Sequence, residues 1–334
     1  MSRVFSGVQP TADAPHLGNY IGAFRHWIDL ARTHESFYCV VDLHTLTVAW
    51  DPATLARRTR QTAASLIASG IDPEKSTLFV QSEVLQHAEL AWILICLAKI
   101  GELGRMTQFK DKSRNQDPGA VGVGLFAYPA LMAADVLAYR AELVPIGDDQ
   151  KQHLELMRDI AERFNHRFGE IFPVPKPVIA RRGARIMALD DPTAKMAKSS
   201  ERPNNVIWMT DSPDDVKKKI SRAVTDSGRE VVYSPEKPAI SNLLEIYSAV
   251  SGREIDELVA GFEGKGYADL KQGLTDALVD FLSPFQTRYR ELLADPAQLD
   301  GLLDGGAEAA REEAEKTMQI VREAAGFRSR EAGG

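Results

Sequence analysis

Strand-like and helix-like segments alternate through the first half of this chain, and after Ser200 the strand signals nearly vanish. That alternation constrains the fold most tightly. Strands separated by helices pair in parallel and carry helices on both faces of the sheet. Arg3 to Val8 reads as a strand, and Tyr20, Phe24, Trp27, Ile28 and Ala31 recur at helical spacing. Phe37 to Leu43 is an apolar run that suits a buried strand. Asp51-Pro52 starts a helix, cap then first-turn proline, and Gly70 stops it. Thr77 to Val80 reads as a strand, followed by a helix over Gln86 to Lys99. Leu143 to Ile146 is a further strand, followed by a helix from Asp149 to Phe164.

The second half predicts helices over Pro213 to Ala223, Ser241 to Ser251, Ile255 to Glu263, Tyr267 to Glu291 and Ala307 to Ala325. Thr225-Asp226-Ser227-Gly228 and Asp295-Pro296 read as separators. The expected fold class is α/β: a Rossmann-like doubly wound parallel sheet over residues 1–190, with an appended all-helical unit over 191–334. The 334 residues suit two domains.

Composition narrows the classes further. With 44% hydrophobic and 26% charged residues the chain reads as a soluble globular protein. It has no run of about 18 apolar residues, hence no expected membrane span. Met1-Ser2-Arg3-Val4-Phe5 enters a strand directly and lacks signal-peptide design. Cys39 and Cys96 lie in apolar runs outside any Cys-x-x-Cys pair, so both are expected to be buried, reduced thiols of a cytoplasmic protein without zinc. A net charge of −7 argues against a general nucleic-acid coat and for no DNA partner, yet leaves room for a local basic face. Lys217-Lys218-Lys219 with Arg222 is one candidate face, though a solvated helix surface is the plainer reading.

Four segments carry chemistry. Ser6 to Asn19 joins the first strand to the first helix, where open parallel sheets place ligands. Gly18 there lets backbone approach a nucleotide, and the helix N-terminus favours phosphate. His16 and Asn19 can donate hydrogen bonds to phosphate oxygens, with Gln9, Pro10 and Thr11 beside the nucleotide. Taken alone, the segment reads more simply as a connection with a solvated His16. Lys195-Met196-Ala197-Lys198-Ser199 holds two cations three residues apart. They suit the charge of departing pyrophosphate on a loop that closes over it, though an exposed basic loop is the bland alternative. The nearby Gly183-Ala184-Arg185-Ile186-Met187 could hold an adenine through its backbone. Gly147-Asp148-Asp149-Gln150 suits ribose hydroxyls and an ammonium group, or equally an acidic helix cap. Met132 and Asp135 share a helical face, where a poorly solvated acid wants an indole N–H or a phenol O–H. A lone exposed Asp135 is the alternative.

Together with Phe5-Ser6-Gly7-Val8-Gln9-Pro10, Gly18-Asn19-Tyr20-Ile21-Gly22-Ala23, Gly101-Glu102-Leu103, Arg105-Met106-Thr107-Gln108-Phe109-Lys110, Leu131-Met132-Ala133-Ala134-Asp135 and Gly147-Asp148-Asp149-Gln150-Lys151-Gln152-His153, these segments carry a resemblance. Over essentially its whole length the chain resembles the bacterial tryptophanyl-tRNA synthetases, class I aminoacyl-tRNA synthetases. The resemblance implies that Gln9, Pro10, Thr11, His16, Gly18 and Asn19 bind ATP. It puts Gly147, Asp148 and Asp149 on the ribose side and Ile186 on adenine. Lys195, Met196, Ala197, Lys198 and Ser199 would hold the phosphates, helped by Lys112. Asp135 would accept the indole N–H of tryptophan, with Gln150, Met132, His44, Phe5, Tyr128 and Val144 completing that pocket. Lys195, Lys198, Gln9 and Lys112 would carry the chemistry. The resemblance further implies a homodimer joined through the Rossmann-like domains, tRNA(Trp) lying across both subunits, and a helical domain that reads the anticodon.

The implied reaction is the ligation of L-tryptophan to tRNA(Trp) by way of tryptophanyl-adenylate, with ATP as substrate. Mg²⁺ is expected to accompany ATP through phosphate oxygens and water, with no protein metal ligand. Two positions depart from the family pattern. Ala197 stands where the family usually has serine, which predicts a modest rate cost; Ala197→Ser should therefore speed adenylate formation, and slower formation would contradict this. His16 stands where many bacterial relatives have threonine. Tyrosyl-tRNA synthetases, pantothenate synthetases and a non-catalytic RNA-binding paralogue are the rival readings. The Asp135 context, the long helical half, and the retained Lys195, Lys198, Gly18 and Asn19 weigh against them in turn.

Overall fold

A computed structural model describes residues 1–114, 121–179, 186–196 and 205–328. Five parallel strands form its sheet: β1 (Arg3–Val8), β2 (Glu35–Val40), β3 (Thr77–Val80), β4 (Leu143–Ile146) and β5 (Lys176–Ile179), in the order β3-β2-β1-β4-β5. The helices in the first half are α1 (Leu17–Asn19), α2 (Arg25–Ala31), α3 (Pro52–Ser69), α4 (Gln86–Ile95), α5 (Ile100–Leu103), α6 (Thr107–Arg114), α7 (Val123–Leu137) and α8 (Lys151–Phe168). Those in the second half are α9 (Pro213–Arg222), α10 (Pro238–Ser251), α11 (Ile255–Gly261), α12 (Tyr267–Ala294) and α13 (Pro296–Ala324). No helix among the described residues is long and apolar enough to cross a membrane.

Side-chain alternation along the strands builds two cores. Val4, Tyr38, Val40, Leu78 and Val80 point to one face, and Phe5, Phe37, Cys39, Phe79 and Val144 to the other. The first core runs on without a break into Leu270, Leu274 and Leu278 of α12, so the helical half shares its interior with the sheet. Helix α13 crosses from one core to the other. Leu299 and Leu303 join the first, Ala307, Ala310 and Ala314 the second. At the crossing a Cβ on Gly306 would stand 1.9 Å from the Leu78 carbonyl oxygen, so only glycine lets the helix lie on β3. That contact shields an edge strand that would otherwise offer its backbone to other chains.

Several expectations are corrected. Strand β5 adds to the four strands read from sequence; it lies at the sheet edge, where its Pro177 is tolerated. The second strand ends at Val40, and Leu43–Thr47 turns into a short 3-10 helix. Asp42 draws that turn toward β3 by accepting the Ser82 N–H at 3.0 Å and the Ser82 hydroxyl at 2.5 Å. Asp295-Pro296 does separate two helices, but the last one begins at Pro296 and not at Ala307, since Asp295 caps the Gln298 N–H at 3.0 Å. Cys39 is buried, but Cys96 is exposed. Apolar side chains of α4 are not confined to its buried face: Trp92 and, just past the helix end, Cys96 are four apart and exposed to solvent.

Candidate active site

A cavity of about 410 Å³ opens where β1 ends in Gly7, Val8 and Gln9 and β4 ends in Ile146 and Gly147. Strand order reverses beside β1, and the carboxyl ends of strands at such a point are where open α/β sheets bind ligands. Of the residues expected from sequence, Phe5, Gln9, Thr11, His44, Lys112, Tyr128, Met132, Asp135, Val144, Gly147 and Gln150 all line it.

The floor is an ionised carboxylate held from four elements. Asp135 of α7 is 2% exposed. His44 Nε2 stands 2.8 Å from its Oδ2, while Gln81 Nε2 donates to Oδ1 at 2.6 Å and His87 Nδ1 stands 2.7 Å from Oδ1. Burial resists ionisation of Asp135, but the hydrogen bonds from His44 and His87 outweigh it and hold the carboxyl well below the usual range. A carboxylate only accepts, so both imidazole atoms facing it carry protons. On the far side of the ring, His87 Nε2 stands 2.7 Å from the Tyr139 hydroxyl. Burial pushes the Tyr139 phenol up, so that hydroxyl keeps its proton to donate. Gln81 cannot flip, because its Oε1 accepts the Leu43 N–H at 3.1 Å. A carboxylate offers about four acceptor directions. Three are taken by His44, Gln81 and His87, which leaves one on Oδ2.

A second pair shapes the wall. Tyr128 Oη lies 2.5 Å from His153 Nε2 and 3.3 Å from Gln108 Oε1. Burial pushes the Tyr128 phenol up to about 12 and the His153 imidazole down to about 4. His153 is therefore neutral near pH 7, with its buried Nδ1 unpartnered. Lys112 Nζ sits 5.7 Å from the centroid of the Tyr128 ring, a cation–π contact, and burial lowers its pKa. Gln150 Nε2 donates to Asp149 at 2.9 Å.

The nucleotide segments lie differently. His16 is 4% exposed, and its Nδ1 accepts the Asn19 N–H at 3.2 Å while Asn19 Oδ1 accepts the His16 N–H at 3.2 Å. The expected phosphate donors thus form a capping box at the start of α1, with Pro10 buried nearby in sequence. His16 is not solvated: its ring meets Trp208 edge-on at 6.0 Å between centroids. The space beside Gly18 is filled from the protein, where a Cβ would meet the His16 ring at 3.0 Å and Met196 Cβ at 3.7 Å. A Cβ on Gly147 would meet Asp149 Oδ1 at 2.8 Å. Asp149 is exposed, and Asp148 opens the short turn Asp148–Gln150. Ile186 and Met196 are buried, and Met187 and Lys195 pair as an antiparallel bridge, which brings the lysine segment against Gly18. Lys195 is exposed and does not line the cavity. Ala197, Lys198, Ser199 and Gly183 to Arg185 lie outside the described residues.

Sequence reading missed Gln81, His87 and Tyr139, which surround Asp135, and His26 and Gln108 on the cavity wall. A buried acid in an apolar helix demands donors, and Gln81 and His87 flank the end of β3. Strand-end polar residues were therefore the available signal.

Comparison with known proteins identifies the family. Residues 1–283 match the family model described as tRNA synthetases class I (W and Y). The tryptophan–tRNA ligase of Leifsonia xyli subsp. xyli is 54% identical over 326 residues, covering 97% of each chain. That of Caldanaerobacter subterraneus is 52% identical over 328 residues, covering 98% of this chain and 99% of the relative. The tryptophanyl-tRNA synthetase structure from Mycoplasma pneumoniae superposes with a TM-score of 0.89 at 36% identity, covering 98% and 99%. That from Campylobacter jejuni, complexed with ADP and tryptophan, gives 0.85 at 35%, covering 97% and 100%. The chain belongs to the class I aminoacyl-tRNA synthetases of the W and Y type. Within them it falls among the bacterial tryptophan–tRNA ligases.

Proposed function

We propose that this chain activates L-tryptophan with ATP and transfers it to tRNA(Trp), using the cavity between β1 and β4. The observation that carries this reading is Asp135: a buried, ionised carboxylate on a cavity wall with one acceptor direction left. An indole N–H is a donor only and matches that vacancy. Phe5, Met132 and Val144 supply apolar wall for the ring, and Tyr128 and Gln150 stand toward its polar end.

The tryptophan carboxylate attacks the α-phosphorus of ATP in line and expels pyrophosphate. The 2′-hydroxyl of the terminal tRNA ribose then attacks the activated carbonyl, and AMP leaves. Substrates supply both nucleophiles, so the protein contributes alignment and charge stabilisation. Gln9 and Lys112 face the cavity beside the reacting phosphate, and Lys195 and Lys198 neutralise the leaving pyrophosphate when their loop closes. Gln9, Pro10, Thr11, His16, Gly18 and Asn19 form the elbow under the nucleotide. Gly147, Asp148 and Asp149 lie on its ribose side, Ile186 on adenine, and Met196, Ala197 and Ser199 complete the phosphate loop. Mg²⁺ accompanying ATP would supply charge neutralisation, and no protein ligand is assigned to it.

Residues 191–334 recognise the anticodon in this reading, and two copies join through the sheet-bearing halves. Support for the second copy comes from a shallow apolar hollow of about 340 Å³ between α4 and α7, lined by the exposed Leu46 and Trp92 with Ala88, Ile95 and Leu131. Trp92→Glu should yield monomers in sedimentation. The central test is exchange of labelled pyrophosphate into ATP. Tryptophan alone among the amino acids should support it, and equal support by tyrosine would end the proposal.

A further inference from the structure

Asn242 of α10 is buried, 4% exposed, and has no part in the reaction as described above. Its Oδ1 accepts the Met187 N–H at 2.9 Å, and its Nδ2 donates to the Met187 carbonyl at 3.1 Å. One side chain thus satisfies both backbone groups of one residue. Met187 is the pivot of a small hairpin. It bridges to Lys195, the Ala188 N–H donates to Ala194 at 2.8 Å, and the Met196 N–H donates to Ile186 at 3.1 Å. One strand of this hairpin carries Ile186; the other carries Lys195 and leads into residues 197–204.

A lone two-stranded hairpin is marginal in water and needs a third partner along its edge. Asn242 acts as that partner. A carboxamide is the side chain that offers one donor and one acceptor at the spacing of a peptide group. Asparagine also holds its own position firmly here, between Leu243, Leu244 and Ile240 in the first core. Asn242 therefore registers the hairpin against the helical half at Met187, two residues before Leu189, whose carbonyl accepts the Val224 N–H at 2.9 Å.

We propose that Asn242 is a positioning residue for adenylate formation. By fixing Met187 it sets where Ile186 and Lys195 stand relative to each other and to Gly18, and so where adenine and pyrophosphate are held. This rests on the reading that the hairpin and the lysine loop bind ATP. An error of about 1 Å in such a placement costs roughly a hundredfold in rate.

The test is steady-state pyrophosphate exchange with Asn242→Asp and Asn242→Leu. The aspartate is isosteric and loses the donor; leucine is bulkier and loses donor and acceptor. The expected result is a tenfold to roughly hundredfold fall in kcat with a raised KM for ATP, while KM for tryptophan stays within about twofold. Equal loosening of both substrates, or no change in a folded variant, overturns the inference. Lys195→Ala is the control. If it leaves ATP use intact, the ATP-site reading itself fails; if it impairs ATP use and Asn242→Asp does not, only the Asn242 inference fails. Combining the two changes should cost less than the product of the separate losses, and full additivity counts against the proposal. Should neither variant fold, hydrogen exchange in the unaltered protein still decides. The Met187 amide should exchange slowly and gain protection with ATP, whereas fast exchange in both states refutes it.

Discussion

The two ends of the site are built on opposite principles. At the amino-acid end, four elements converge on Asp135, and His44, Gln81 and His87 have hydrogen-bond partners there. At the nucleotide end, the expected ligands cap their own helix or sit on a small hairpin, and Lys195 faces solvent. The difference follows from what each end must recognise. In the proposed function one N–H must be told from close analogues, which takes a fixed acceptor with a single direction left open. A triphosphate carries many charges that shift during reaction, and a surface that gathers around it serves better.

Removing Asp135 should break this contrast most severely. Asp135→Ala leaves three buried donors facing nothing, at about 3–5 kcal/mol of stability. Tryptophan kcat/KM should drop by on the order of 10³ or more. Selectivity over tyrosine and phenylalanine in pyrophosphate exchange is the measurement, and its survival would show that Asp135 does not read the indole. Lys195→Ala should come next, with about a hundredfold loss in adenylate formation and unchanged tryptophan binding by equilibrium dialysis. Such a mild, one-sided effect is the signature of a gathered rather than a fixed site; a loss of tryptophan binding would dissolve the distinction.

How far these ends could be read from sequence differs for the same reason. The nucleotide end is made of local motifs, so Gly18 and Lys195 were legible, although their neighbours were not: Gly18 leaves room for His16 and Met196. The amino-acid end is assembled from residues far apart in the chain. Asp135 stood out because an acid among Met and Ala is chemically odd. Gln81 and His87 did not, because only the parallel sheet brings the end of β3 to α7. The alternation of strands and helices was legible for β1, β2 and β4 in the sheet interior and for the edge strand β3, whose apolar run is buried. It failed at β5, where edge position overrides the proline signal. The reach of α13 was hidden behind Gly305 and Gly306, of which Gly306 is where the helix lies against Leu78.

A pH experiment sharpens the contrast further. His153, beside the amino-acid end, has its pKa lowered from 6.5 to about 4. Between those values the unfolded chain takes up a proton that the folded chain refuses, so stability rises with pH there and falls on acidification. The Asp135 contribution runs in a separate window. It is complete above the ordinary carboxylate value of 3.8 and is lost only below it, as pH falls toward the depressed folded value. Urea unfolding of the parent should therefore show about 2 kcal/mol less stability at pH 5 than at pH 7 from His153. His26, whose pKa burial also lowers, adds to the parent slope, so the difference from His153→Gln is the quantity to read. Identical slopes in the two proteins would mean that His153 titrates as freely as an exposed histidine.

The smallest effect asks whether the fixed end is fixed by its outermost member. Tyr139→Phe removes only the hydroxyl that reaches His87 Nε2 at 2.7 Å, and the ring keeps its stack on Phe37 at 4.6 Å between centroids. No cavity opens, so the cost is one unsatisfied buried acceptor, about 1–2 kcal/mol in urea unfolding. Asp135, being ionised, still holds a proton on His87 Nδ1 by itself. The acceptor direction open to indole is thus unchanged, and KM for tryptophan should move by no more than about threefold. If instead selectivity collapses as in Asp135→Ala, the phenol rather than the carboxylate sets the imidazole tautomer. The fixed end would then extend a full residue deeper into the core than the carboxylate itself.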